Sequence, residues 1–164
     1  MVDLLPSSEI FNALSKKKDH GNNTFHEVAK TEQVETAEFL VTKIMAANGQ
    51  DGVRRIHLVK ELLEDRNQLG ETPLYGAVAL GQTKMAKFLA KKVGHISKHF
   101  QRNDGVSILH IAVIGQHFGL SISLSMHFDY FQNIETLIHK LFIIYTLTCS
   151  IFDYRHRYIW LLEY

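Results

Sequence analysis

Two histidines four residues apart, His95 and His99 in HISKH, carry the spacing closest to a reactive or metal-binding pair. On a helix they would share one face, as zinc ligands do. No third ligand accompanies them, and Gly94 and Ser97 argue against a helix, so they read as loop histidines. His26 and His110 fall at the same relative place in a repeated stretch of the chain. An imidazole there can hydrogen-bond backbone and hydroxyl groups that link neighbouring turns, a structural task rather than a catalytic one. Cys149 is the only cysteine and lies in an apolar run, which raises a thiol pKa instead of activating it. It rules out an internal disulfide and leaves no thiolate cluster for zinc. There is no P-loop, no Gly-x-Ser-x-Gly and no EF-hand loop. The residues therefore predict no enzyme, no catalytic set, no cofactor and no metal site.

The 164 residues are 46% hydrophobic and 21% charged, with a formal net charge of +1. This is the balance of a globular domain, and it gives no broad attraction to nucleic acid. Lys16-Lys17-Lys18, followed by Asp19, reads as a solvated surface segment. The opening MVDLLPSSEIFNALSKKK lacks the basic-then-apolar order of a signal peptide. Without such a signal, the glycosylation sequon Asn22-Asn23-Thr24 is a chance match.

The elements that position these residues come from a repeat. GETPLYGAVALG, from Gly70, matches GVSILHIAVIGQ, from Gly105, at a constant offset of 35. Gly70 pairs with Gly105, Thr72 with Ser107, Leu74 with Leu109 and Ala77 with Ala112. A weaker copy, GNNTFHEVAKTE, starts at Gly21, with Val28 in the alanine position. Gly70 and Gly105 allow the positive φ of a tight turn. Thr72 and Ser107 are N-cap residues. Pro73 then falls at N1, where a missing N–H costs nothing, so it begins a helix. Leu74, Ala77 and Val78 form its apolar stripe, and Ala77 and Ala112 are small where a neighbouring helix must approach. Gly81 closes the helix, and TKMAKFLAKKV opens a second. Met85, Phe88 and Leu89 are its expected buried face, with Lys84, Lys87, Lys91 and Lys92 solvated.

A turn, a short capped helix, a Gly loop and a second helix at a period near 33 resembles the ankyrin repeat, whose motif is Gly-x-Thr-Pro-Leu-His-x-Ala. Residues 70 to 89 match closely, with Tyr75 in place of the motif histidine. Residues 105 to 117 match with His110 in that place, and their loop, Gly115-Gln116-His117, is one residue out of step. Residues 21 to 45 match loosely. FHEVAKTEQVETAEFLV, NQLGETPLYGAVALGQTKMAKFL and RNDGVSILHIAVIGQHF resemble plant ankyrin proteins of the accelerated-cell-death and salt-tolerance groups, over residues 21 to 118. Members of that family carry N-terminal ankyrin repeats followed by a membrane-embedded PGG domain. Nothing here matches the PGG domain.

The fold class that follows is all-α. It is a solenoid of stacked helix-turn-helix units with short hairpin loops, plus an atypical C-terminal segment. Residues 1 to 20 are an N-terminal flank and 21 to 50 a degenerate repeat. Residues 51 to 66 are an insert, 67 to 100 a clear repeat, and 101 to 118 the start of the last one. The insert follows a Gly- and Asn-rich loop, AANGQDGVRR. In it Ile56, Val59, Leu62 and Leu63 have helical spacing, as an extended outer helix or an extra one.

From Gly119 to Tyr158 the text contains no Ala, Val or Pro. The closing Ile159-Trp160-Leu161-Leu162-Glu163-Tyr164 reads as the missing second helix of the last repeat. Residues 119 to 158 then form an insertion, of a composition that suits translated AT-rich intron sequence. Within it, Leu141 to Phe152 is apolar for about 12 residues, short of the roughly 20 that span a bilayer. A helix packed on the repeats, a disordered segment and a membrane anchor are the three readings.

Ankyrin stacks act by shape, so the resemblance implies a protein-binding module in plant stress or defence signalling. It implies a cytoplasmic location, with the cytoplasmic face of the plasma membrane as a further option. A membrane-anchored signalling protein and a truncated product are the alternatives. The hairpin tips are the expected contact residues: Asn67, Gln68 and Glu71, then Arg102, Asn103, Asp104 and Val106. Tyr75 joins them as an aromatic with a polar end; the alternative for Tyr75 is that it packs on the next repeat.

Overall fold

The computed structural model describes residues 7–47, 52–93, 99, 101–117, 119–120 and 124. His95, Cys149, the apolar run Leu141 to Phe152 and the closing Ile159 to Tyr164 lie outside them, as does most of the 119 to 158 insertion. The described residues form seven α-helices in one unit: α1 (Ser7–Ser15), α2 (Thr24–Ala29), α3 (Val34–Ala46), α4 (Gly52–Glu64), α5 (Pro73–Ala79), α6 (Thr83–Lys92) and α7 (Ile108–Ile114). An isolated bridge between Gln101 and Ser107 is the only β pairing among them.

Helices α2, α5 and α7, of six or seven residues, are far too short to persist alone, since isolated helices below about 12 residues are marginal. Each is instead started by a cap. Asn23, Thr72 and Ser107, in extended backbone, accept from the amides of His26, Tyr75 and His110 at 3.1, 3.3 and 3.2 Å. Pro73 is the first residue of α5, as the sequence predicts. Helices α2, α5 and α7 then pack side by side as one row, and α3 and α6 as a second. Phe25, Leu74 and Leu109 occupy equivalent places in the first row and are all buried. Ala37 and Ala86 do the same in the second. Ala77 and Ala112 are fully buried, which explains why these positions are small.

Each short helix is preceded by a hairpin of one form. Lys18, Asn67 and Arg102 donate their amides to the carbonyls of Asn22, Glu71 and Val106 at 2.8 to 3.1 Å. Gly70 shows what the turn demands. Its φ is +80°, and a Cβ there would meet the Asn103 amide nitrogen at 2.8 Å as well as that residue's side chain. The first hairpin opens at Lys18, so the repeat begins three residues before the expected Gly21. The flank before it is itself helical, as α1. Lys17 is also less free than expected: its ammonium lies 2.6 Å from the Asp65 carboxylate and donates to the Arg66 carbonyl.

Three further expectations are corrected. The loop expected through Arg55 stops sooner, because α4 already begins at Gly52, with Arg55 donating to the Ala47 carbonyl at 2.9 Å. It is an extra helix, separate from α3. It buries Val59, Leu62 and Leu63 but leaves Ile56 58% exposed. Phe88 is only half-buried, and Ala86 and Ala90 complete the buried face of α6 beside Met85 and Leu89. The Gly115-Gln116-His117 loop is in step after all. Gln116 takes φ +60° where the equivalent Gly81 takes +70°, and His117 and Gln82 donate to the carbonyls of Ala112 and Ala77 alike. The glycine in the sequence is displaced, while the backbone is not.

Candidate functional site

The hairpin tips are joined into a continuous edge. The Gln68 amide donates to the His20 carbonyl at 2.9 Å, and the Asn103 amide to the Leu69 carbonyl at 3.0 Å. These two bonds are equivalent under the repeat, so each hairpin hangs on the one before it. Side chains reinforce the link. Asn103 Nδ2 donates to the Gln68 carbonyl at 3.2 Å, and Arg66 Nη1 donates to the carbonyls of Gly70 and Gln101.

A charged network lies along the edge. Arg102 donates through Nη1 to Glu71 Oε1 at 3.3 Å and pairs through its other nitrogens with Asp104. Glu71 also accepts from Asn67 Nδ2 at 3.2 Å, and Asn67 Nδ2 reaches Asn22 Oδ1 at 3.0 Å. The hydrogen bond from Arg102 holds the Asp104 carboxyl at about 2, and the Val106 amide assists. The same pairing raises the Arg102 guanidinium further above its ordinary value. The edge is thus pre-ordered, with both charges fixed at neutral pH.

The predicted contact residues separate here. Asn67, Glu71, Arg102 and Asp104 form the network, and Gln68 and Asn103 link one hairpin to the next through their backbone amides and the Asn103 side chain. Val106 is half-buried, and its carbonyl accepts a bond from Tyr75. Tyr75 itself is corrected. It is only 1% exposed, and its hydroxyl donates to the Val106 carbonyl at 3.3 Å. Burial raises its phenol pKa. In the first repeat His26 Nε2 lies 2.9 Å from the Glu71 carbonyl, and Glu71 is the counterpart of Val106. Tyr75 therefore performs the motif histidine's inter-repeat bond and is not a surface contact.

His26 completes its own loop with Asn23: the Asn23 amide donates to Nδ1 at 3.2 Å, so the proton is assigned to Nε2, facing Glu71. Burial lowers its pKa. His110 pairs its Nδ1 with the Ser107 hydroxyl at 2.6 Å and is exposed. The sequon residue Asn22 is buried and bonded to Glu27 and Asn67. Among the described residues, no group of three or more His, Cys, Asp or Glu side chains is placed to hold a metal. Nor is any helix there long and apolar enough to cross a membrane.

Leu69, 52% exposed at the second tip, and Leu80 and Ile114, 53% and 68% exposed at the ends of α5 and α7, were not among the expected contacts. Leu69 carried a signal: it stands in a turn, just before Gly70, where no core position exists. Leu80 and Ile114 sit beside the glycines that close their helices and fall outside the buried stripe.

A family model described as ankyrin repeats, three copies, matches residues 44–129, just over half of the chain. A search of curated proteins returns no match. Among solved structures, the chain is similar to one in the crystal structure of the yeast ribosomal protein Rps3 in complex with its chaperone Yar1. The TM-score is 0.56 at 17% identity, over 69% of this chain and 72% of that one. At that identity the likeness is one of fold.

Proposed function

The chain belongs to the ankyrin-repeat family, and from that premise we propose that it is a non-enzymatic protein-binding module whose partner docks along the hairpin edge. Ankyrin repeats mark it as a protein–protein interaction module. The edge residues Gln68, Leu69, Arg102, Asn103 and Asp104 are its recognition surface, with Asn67, Glu71 and Val106 as their support. The observation that carries this is the paired hairpin edge itself. Its backbone bonds are satisfied from repeat to repeat, and its outward side chains mix an apolar, an amide and a fixed ion pair. Such a surface binds with little ordering cost. The finer reading is of a plant stress- or defence-signalling protein, in the cytoplasm or at the cytoplasmic face of the plasma membrane. That rests on the resemblance of residues 21 to 118 alone.

Affinity capture from cell extract, using the full chain and a Gln68→Glu/Leu69→Glu variant, tests the proposal. Both side chains are exposed, so the variant keeps the wild-type melting temperature. Loss of the captured proteins is the expected result; unchanged recovery of the same proteins refutes the docking surface.

A further inference from the structure

Helices α3 and α6 are successive copies of one element, related by an offset of 49 residues. Their outward side chains correspond position by position, but the charge is reversed. Glu35 and Glu38 on α3 stand where Lys84 and Lys87 stand on α6, and all four are exposed. Phe39 matches Phe88, and Lys43 matches Lys92. Each of these lysines lies over its own helix's ring, 5.1 and 5.6 Å from the centroid. Phe39 is 56% exposed. None of the four reversed charges is in an ion pair among the described residues. The basic character of α6 is not balanced within its own stretch of chain, since residues 72 to 103 contain no Asp or Glu; the Glu32 carboxylate approaches its start, but accepts from the Lys84 amide at 3.3 Å and not from its ammonium.

We propose that this face docks on a second copy of the chain. A two-fold axis running between α3 and α6, and along them, lays α3 of one copy over α6 of the other in the same direction. The repeat then brings equivalent levels together. Glu35 meets Lys84 of the second copy, Glu38 meets its Lys87, and Phe39 meets its Phe88; the same contacts recur on the other side of the axis, as an isologous interface requires. Lys43 and Lys92 also meet, at the solvated ends, where each is already held over a ring. A two-fold axis across the helices would instead set α3 on α3 and α6 on α6, like charge on like. The charge pattern thus selects one dimer. Exposed ion pairs are individually weak, so the dimer is transient and salt-sensitive. It leaves the hairpin edge uninvolved.

Sedimentation equilibrium of the full chain tests this with two charge-reversal variants, Glu35→Lys/Glu38→Lys and Lys84→Glu/Lys87→Glu. The wild type is expected to self-associate at low ionic strength and to dissociate in about 0.5 M salt, where the Debye length is only a few ångströms. Each variant alone should associate about tenfold more weakly or worse. A one-to-one mixture of the two should recover wild-type association, because the reversed α3 of one variant then faces the reversed α6 of the other on one side of the axis, while unaltered α6 faces unaltered α3 on the other side. That recovery also shows that both variants are folded. A wild type that is monomeric at every concentration overturns the proposal, even if it binds anionic vesicles through its lysines. So does association that survives in both variants, or a mixture no stronger than its parts.

Discussion

Tyr75 shows how one side chain can satisfy a motif while breaking its spelling. A phenol reaches further than an imidazole, and its hydroxyl arrives at the same carbonyl, one repeat along, that His26 reaches with Nε2. Sequence alone registers only the replacement of a histidine, and replaced motif residues invite a surface role. Burial is decided by the neighbouring hairpin, which the replacement does not announce. Tyr75→Phe should therefore cost about 1 kcal/mol of stability in urea unfolding, the value of one buried hydrogen bond, and leave partner capture unchanged. Tyr75→Ala should cost about 3–5 kcal/mol, as loss of a large buried ring does. His26 makes a second prediction, through pH. Burial puts its folded pKa below the ordinary value of 6.5, so the unfolded chain takes up the proton first as pH falls. Its contribution to stability is complete above that value and declines as pH drops through it. Melting temperatures from pH 7.5 to 5 should fall more steeply for the wild type than for His26→Gln, which keeps a donor toward Glu71 without titrating.

At the scale of elements, caps and turns were the most legible features. Asn23, Thr72 and Ser107 start helices because a short polar side chain at that place satisfies a free amide, and the chemistry is local enough to read directly. Element ends set by packing were less so. The start of α4 at Gly52 and the exposure of Ile56 depend on how α4 meets its neighbours, which helical spacing does not contain. The loop at Gln116 is a clearer case: the fold holds a left-handed residue in step although the glycine lies one place early. A non-glycine residue pays about 1–2 kcal/mol in that conformation. Gln116→Gly should thus stabilise the chain, by about 0.5 kcal/mol once the added freedom of the unfolded glycine is subtracted. Thermal melts check this, and a lower melting temperature would mean the Gln116 side chain contributes a contact that offsets its strain.

For the whole molecule, the repeat resolves into two rows of helices and one hairpin edge, and the same offsets govern hydrogen bonds, core and surface. The all-α architecture was legible because the motif repeats at a fixed interval. The surface was legible only in part. The motif marks which residues the stack needs, so those it leaves free are candidates for binding; it does not say which free residues become wedged between repeats, as Tyr75 is, or which stay exposed, as Leu69 is. The central claim is that the hairpin edge receives the partner. Hydrogen–deuterium exchange of the full chain, free and with its captured partner, addresses it most directly. The account predicts new protection concentrated at residues 67 to 71 and 102 to 106, with the core amides of α5 unchanged. Protection confined to other surfaces, with the hairpin amides exchanging as in the free chain, would contradict it.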